Sequence, residues 1–147
     1  MPSTKVEDFL TTREEQDIVE AILEAERYTS GEIRVHLEAT SSLNHYSRAQ
    51  EVFHLLKMDN TKEDNGVLIY IAVEDKKFVI YGDKGIDTAV PDNFWDSTKD
   101  IMQSYFTQGQ FKDGIVQGIL KAGTELKAHF PWRPNDTNEL QNEVSKG

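Results

Sequence analysis

The sequence predicts an α/β fold, a three-layer α/β/α sandwich with a small mixed β-sheet. Three observations predict it. A strand pattern at Glu32–Glu38 and a continuous apolar run at Val67–Val73 are separated by a helical pattern, the order of a parallel crossover. A third strand pattern, Lys77–Gly82, follows the second after only Glu74-Asp75-Lys76, too short for anything but an antiparallel hairpin. Helical periodicity precedes and follows these strands, supplying cover for both faces of the sheet.

Taken in order, Thr11–Glu14 and the overlapping Thr12–Glu15 both have the spacing of a capping box. Ile18, Val19, Ile22, Leu23 and Ala25 then repeat with helical spacing. This helix is expected to end near Thr29-Ser30-Gly31, with Gly31 as a left-handed cap. From Glu32 to Glu38, Ile33, Val35 and Leu37 alternate with Arg34 and His36, which predicts a half-buried strand. Ala49, Val52, Phe53 and Leu56 define the second helix. Val67–Val73 has no polar alternation and reads as a central strand covered on both sides. One helix is expected after Pro91-Asp92, carrying Phe94, Ile101, Met102, Tyr105 and Phe106, and another from near Phe111, carrying Ile115, Ile119, Ala122 and Leu126. The organisation expected is a flexible segment at 1–10, one domain at 11–133 and a polar, disordered tail at 134–147.

Composition narrows the function. The chain has 147 residues, 37% hydrophobic and 29% charged, which suits one globular domain. It has no cysteine, so disulfides, thiol catalysis and cysteine-based zinc sites are excluded. A formal charge of -10 argues against nucleic acid and anionic membranes and favours cations. No basic-then-apolar leader and no apolar run near ~20 residues is present, so a cytoplasmic protein without membrane insertion is expected. A monomer is the oligomeric expectation.

The predicted topology draws three polar segments to one sheet edge: Ser30-Gly31-Glu32, Glu63-Asp64-Asn65-Gly66 and Gly82–Asp87. Glu32, Asp64, Asp83 and Asp87 converge there, with Asn65 and Asp92 as possible accessory ligands. In a partly buried site, like-charged neighbours cost on the order of 1 kcal/mol each, and a dication removes that cost. All-oxygen ligands on flexible loops favour calcium, with magnesium as the alternative. Plain turn chemistry is the competing account of the same Asp and Gly residues. Gly82-x-x-Gly85 lacks a third glycine and is not a dinucleotide fingerprint. His36, His45, His54 and His129 show no ligand spacing and read as surface or edge residues. Tyr70, Tyr81, Trp95 and Trp132 read as core or rim aromatics.

Thr29–Val35, Asp64–Ile69, Lys77–Asp87 and Gly114–Ile119, in this order and spacing, resemble the successive blocks of a TPM domain. The resemblance covers roughly Thr11 to Phe130 and extends to stand-alone bacterial members of the family. It implies an α/β/α sandwich with a cleft at the sheet edge, lined by the blocks that contain Glu32, Asp64, Asp83 and Asp87. Calcium binding and weak acid-phosphatase activity are associated with the family. Its members are usually exported or membrane-anchored, and neither feature is evident here, so their individual roles are not carried over. The function expected is a stand-alone module binding a divalent cation, preferentially calcium, at an acidic cleft and serving as a protein-interaction or assembly and repair accessory. The alternative is a metal-assisted, phosphatase-like hydrolase of low activity.

Overall fold

A computed structural model describes residues 9–42, 44–61, 63–132 and 144–147. In chain order the elements are α1 (Thr12–Ala25), β1 (Glu32–Glu38), α2 (His45–Leu55), β2 (Gly66–Ala72), β3 (Lys77–Gly82), α3 (Lys84–Ala89), α4 (Asp96–Phe106), α5 (Phe111–Lys127) and β4 (Ser145–Lys146). Of the two overlapping capping boxes, Thr11–Glu14 forms. The Glu14 N–H donates to Thr11 Oγ1 and the Thr11 N–H to Glu14 Oε1, each at 3.0 Å. At the other end Gly31 is not a left-handed cap. The helix stops at Ala25, Glu26 is its C-cap in a right-handed conformation, and Gly31 instead packs closely on α5. A β-carbon at Gly31 would lie 3.0 Å from Leu126 Cδ1. The chain turns at 26–28 and is pinned by the Thr29 hydroxyl, which donates to the Phe130 carbonyl.

The sheet order is β3-β2-β1-β4. β1 and β2 pair in parallel from Glu32↔Gly66 to Glu38↔Ala72, with α2 as the crossover, and β3 returns antiparallel beside β2. One face of the sheet presents Ile33, Val35, Leu37, Val67, Ile69 and Ile71 to α1, α4 and α5. The other face presents Leu68, Tyr70 and Ala72 to Ala49, Val52 and Phe53 of α2 and to Met58. These three layers confirm the α/β/α reading. Among the described residues, no helix is long and apolar enough to cross a membrane.

β1 is buried along its whole length, not half-buried. Two of its polar residues, His36 and Glu38, are covered because Arg48 of α2 and Ser145 of β4 reach them. Glu38 accepts from Arg48 Nε at 2.9 Å, Arg48 Nη2 at 2.5 Å and the Tyr70 hydroxyl at 2.5 Å. His36 is accordingly not a surface residue: it is 5% exposed, with Nδ1 3.0 Å from Ser145 Oγ, and burial pushes its pKa down. The Arg48 and Tyr70 bonds hold the Glu38 carboxyl down at about 2 against the upward push of burial.

On the opposite face, glycines bring helices together. β-carbons at Gly114 and Gly118 of α5 would lie 2.5 Å from Phe106 Cε1 and Met102 Sδ of α4, so a side chain at either would force those helices apart.

Other elements depart from expectation. Gly82–Asp87 is not only a polar loop, since Asp83 caps the short helix α3. α4 begins at Asp96 after a turn at 92–95. Of the segment expected to be flexible, 1–8 lies outside the described residues, whereas Leu10 is buried and the Phe9 ring lies 4.9 Å from that of Phe111. Of the tail expected to be disordered, 134–143 likewise lies outside, but Ser145 and Lys146 pair in parallel with His36 and Leu37. The Gly147 N–H donates to the Leu37 carbonyl at 2.8 Å, and Lys146 Nζ lies 3.0 Å from Glu15 Oε2. Polar composition missed this strand because its bonds come from the backbone and from two polar side chains.

Candidate functional site

The three polar segments do converge where β1 and β2 begin and β3 ends. The Glu32 N–H donates to the Asn65 carbonyl at 3.3 Å, the Asp83 N–H to the Gly66 carbonyl at 2.9 Å and the Gly85 N–H to the Asp64 carbonyl at 2.9 Å. Asn65 is the tie between strand starts: it is 2% exposed, and its Nδ2 donates to the Ser30 carbonyl at 3.1 Å. Asp64 adopts a φ of 51, a conformation open to Asp and Asn at modest cost. Gly85 allows the loops to touch, because a β-carbon there would fall on the carbonyls of Glu63 and Asp64.

Asp83 is the central carboxylate. It is 7% exposed, and Oδ1 accepts from the Lys84 N–H at 2.7 Å as the cap of α3. Oδ2 is buried with no hydrogen-bond partner among the described residues. Burial, foremost, pushes its pKa up; the Lys84 N–H opposes this, and the charges of Asp64 and Asp59 add to it. Asp64 is half-exposed and touches Lys84, whose Nζ lies 3.8 Å from Asp64 Oδ2. Asp87 sits one turn along α3, exposed, with its N–H donating to the Asp83 carbonyl at 3.1 Å.

Glu32 is buried on the far side of Asn65. With β2 between β1 and β3, its backbone is two strand spacings from Asp83, about 10 Å. Its charge acts on Glu26. Asp92 is exposed in the turn before α4. The structure therefore sets Asp64 near Asp83, places Asp87 one helical turn further along and exposed, and leaves Glu32 across Asn65. Among the described residues, no three His, Asp or Glu side chains stand close enough together to hold a metal ion ready-made.

Two carboxylates of this edge escape sequence reasoning. Asp59, just after α2, contributes to the field on Asp83. Glu26 turns inward from the end of α1, and its Oε2 accepts from the Ile33 N–H at 2.8 Å, on the side of β1 that β4 does not reach. Burial raises its pKa to about 8, opposed by the Ile33 N–H and reinforced by Glu32. The one signal in sequence is position: Glu26 follows Ile22 by one helical turn, on the buried stripe of α1.

The model of the TPM domain matches residues 3–125. Among solved structures, the chain is similar to the BA42 protein of the psychrophilic bacterium Bizionia argentinensis. The identity is 60% and the TM-score 0.92, over 99% of this chain and 100% of that one. It is also similar to the N-terminal domain of a P. gingivalis protein, at 18% identity and TM-score 0.67, over 82% of this chain and 78% of that one. The N-terminal domain of cg2496 from Corynebacterium glutamicum is similar at 10% identity and TM-score 0.62, over 94% and 81%. These last two likenesses show the fold alone. No curated protein matches the chain.

Proposed function

The chain belongs to the TPM domain family, and we propose that it is a divalent-cation-binding module, with calcium held at the acidic end of the sheet. The observation that carries this reading is the buried Asp83 Oδ2, which lacks a donor. A buried carboxylate oxygen in that state is relieved by a proton or by a cation. Asp83 and Asp64 are the first ligands, Glu32 and Asp87 complete the set, and Asn65 and Asp92 are accessory positions. Because the carboxylates are not gathered in advance, the loops close about the ion, which suits the irregular coordination of calcium better than the strict octahedron of magnesium. The ordered edge then presents one surface to a protein partner, as an assembly or repair accessory would. Phosphatase-like hydrolysis has weaker support: Lys84 is largely exposed and 3.8 Å from Asp64, a poor clamp for a developing phosphoryl charge.

The test is calorimetric titration of chelator-treated protein with calcium, with magnesium as comparison. Saturable calcium binding is expected, with protons released and affinity falling as pH drops towards the raised pKa of Asp83. Asp83→Asn, checked for folding by circular dichroism, removes the heat. Undiminished binding by that variant, or no heat and no melting shift at millimolar calcium, refutes the reading.

A further inference from the structure

We propose that the cleft beside the β2–β3 hairpin binds a single-chain aliphatic carboxylate, its tail against phenylalanine rings and its head towards Lys76 and Lys77. The cleft lies at the end of β2 remote from Asp83, roughly 20 Å along the strand, and does not depend on the cation reading.

Four of the chain's seven phenylalanines, Phe9, Phe78, Phe106 and Phe111, line this one cleft of about 330 Å³. Their rings form a continuous run, with centroids 4.9 Å apart for Phe9 and Phe111, 5.9 Å for Phe111 and Phe106, and 5.2 Å for Phe106 and Phe78. None of the four is fully buried, and Phe111 is 39% exposed, whereas Phe53, Phe94 and Phe130 are buried elsewhere. Apolar surface left open inside a concavity of this size is the usual wall of a small-molecule site.

Charge selects the occupant. The chain carries -10, yet Lys76 and Lys77 both line the cleft, and neither forms an ion pair among the described residues. Of the two acids in the same turn, Asp75 is turned away, accepting from Thr40 Oγ1 at 2.6 Å and meeting His45 Nε2 at 2.9 Å, and Glu74 has an interaction of its own. Lys112, beside Phe111, is already held by Asp17 and Asp113. An apolar wall with a local cationic rim fits an anionic head on an apolar tail. The strongly acidic remainder disfavours an anionic bilayer, which makes the dissolved amphiphile the occupant.

The experiment is a titration of isotope-labelled full chain, followed by amide chemical shifts, with decanoate, decanol and decyltrimethylammonium below their micellar concentrations. Decanoate is expected to bind most tightly and to move the amides around Phe78, Phe106 and Phe111. Lys76→Glu with Lys77→Glu should weaken decanoate by roughly fivefold to tenfold while leaving decanol unchanged. Thr107→Trp, at an exposed lining position, should block both. Equal affinities for decanoate and decanol that ignore the lysine reversal would overturn the proposal, as would shifts clustered elsewhere or no shifts at all. Binding to phosphatidylglycerol vesicles without binding to monomeric decanoate would overturn it in favour of a membrane surface.

Discussion

Glu26→Gln isolates the most perturbed carboxyl in the described structure with little change of shape. The amide oxygen can still accept from the Ile33 N–H, but the side chain cannot ionise. In the native protein the Glu26 pKa is about 8, against 4.5 for an ordinary glutamate. Between those values the folded chain holds a proton that the unfolded chain has released. The contribution of Glu26 to stability therefore falls as pH rises from 4.5 to about 8 and levels off above, whereas buried His36 acts in the opposite sense below 6.5 and equally in both proteins. At about 1.4 kcal/mol per pH unit, the window removes on the order of 5 kcal/mol, a large share of a typical domain's stability. Urea unfolding followed by circular dichroism, at half-unit steps from pH 4.5 to 9, measures this directly. The two proteins should nearly coincide at pH 4.5 and diverge steadily, the variant being the more stable at pH 8. Asp83 is shifted in the same direction, so the comparison is repeated in an Asp83→Asn background. Glu38 and Asp75, each held down at about 2, lose their stabilising effect at lower pH and do not enter this window. Parallel curves for wild type and Glu26→Gln would refute the assignment of a buried, protonated acid.

Two further perturbations probe the polar and apolar faces of the sheet. Arg48→Ala leaves the Glu38 carboxylate without its guanidinium and should cost about 2–4 kcal/mol in urea unfolding at pH 7. Because Glu38 is held down in the native protein, its contribution is present above pH 4.5 and lost as pH falls towards 2, so the variant should show a shallower acid-unfolding transition. Gly118→Val drives a side chain into Met102 and should cost roughly 2 kcal/mol, with a matching loss of near-ultraviolet signal from the packed aromatics.

The strands, their directions and the crossover were legible because each rests on local chemistry: the apolar run Val67–Val73, the short turn before Lys77 and the alternation at Ile33, Val35 and Leu37. The meeting of the three polar segments at one sheet edge followed from that topology. What could not be read depends on contacts distant in sequence. Alternation at Arg34, His36 and Glu38 signals exposure unless Arg48 and β4 are known to cover the last two. Glu26 continues the buried stripe of α1, but a glutamate there ordinarily reaches for solvent, and the open side of β1 explains its inward turn. Asp83 announced a strand end, but its capping of α3 through Oδ1, which leaves Oδ2 buried without a donor, could not be read because α3 is too short to leave a periodic pattern.

β4 contributes only two ladder residues, yet it lies where β1 would otherwise end the sheet. A bare strand edge is a template for another chain, and proteins blunt such edges to remain dispersed. Here β1 is guarded in two portions: Glu26 occupies the Ile33 N–H at one end, and residues 145–147 occupy the other, through Gly147 on the Leu37 carbonyl. A β-carbon at Gly147 would lie 2.6 Å from Glu38 Oε1, so the guard is fitted to a residue without a side chain. Colloidal behaviour thus rests on a strand of two residues: a chain lacking 144–147, or bulky at 147, would expose the β1 edge and become prone to edge-to-edge aggregation.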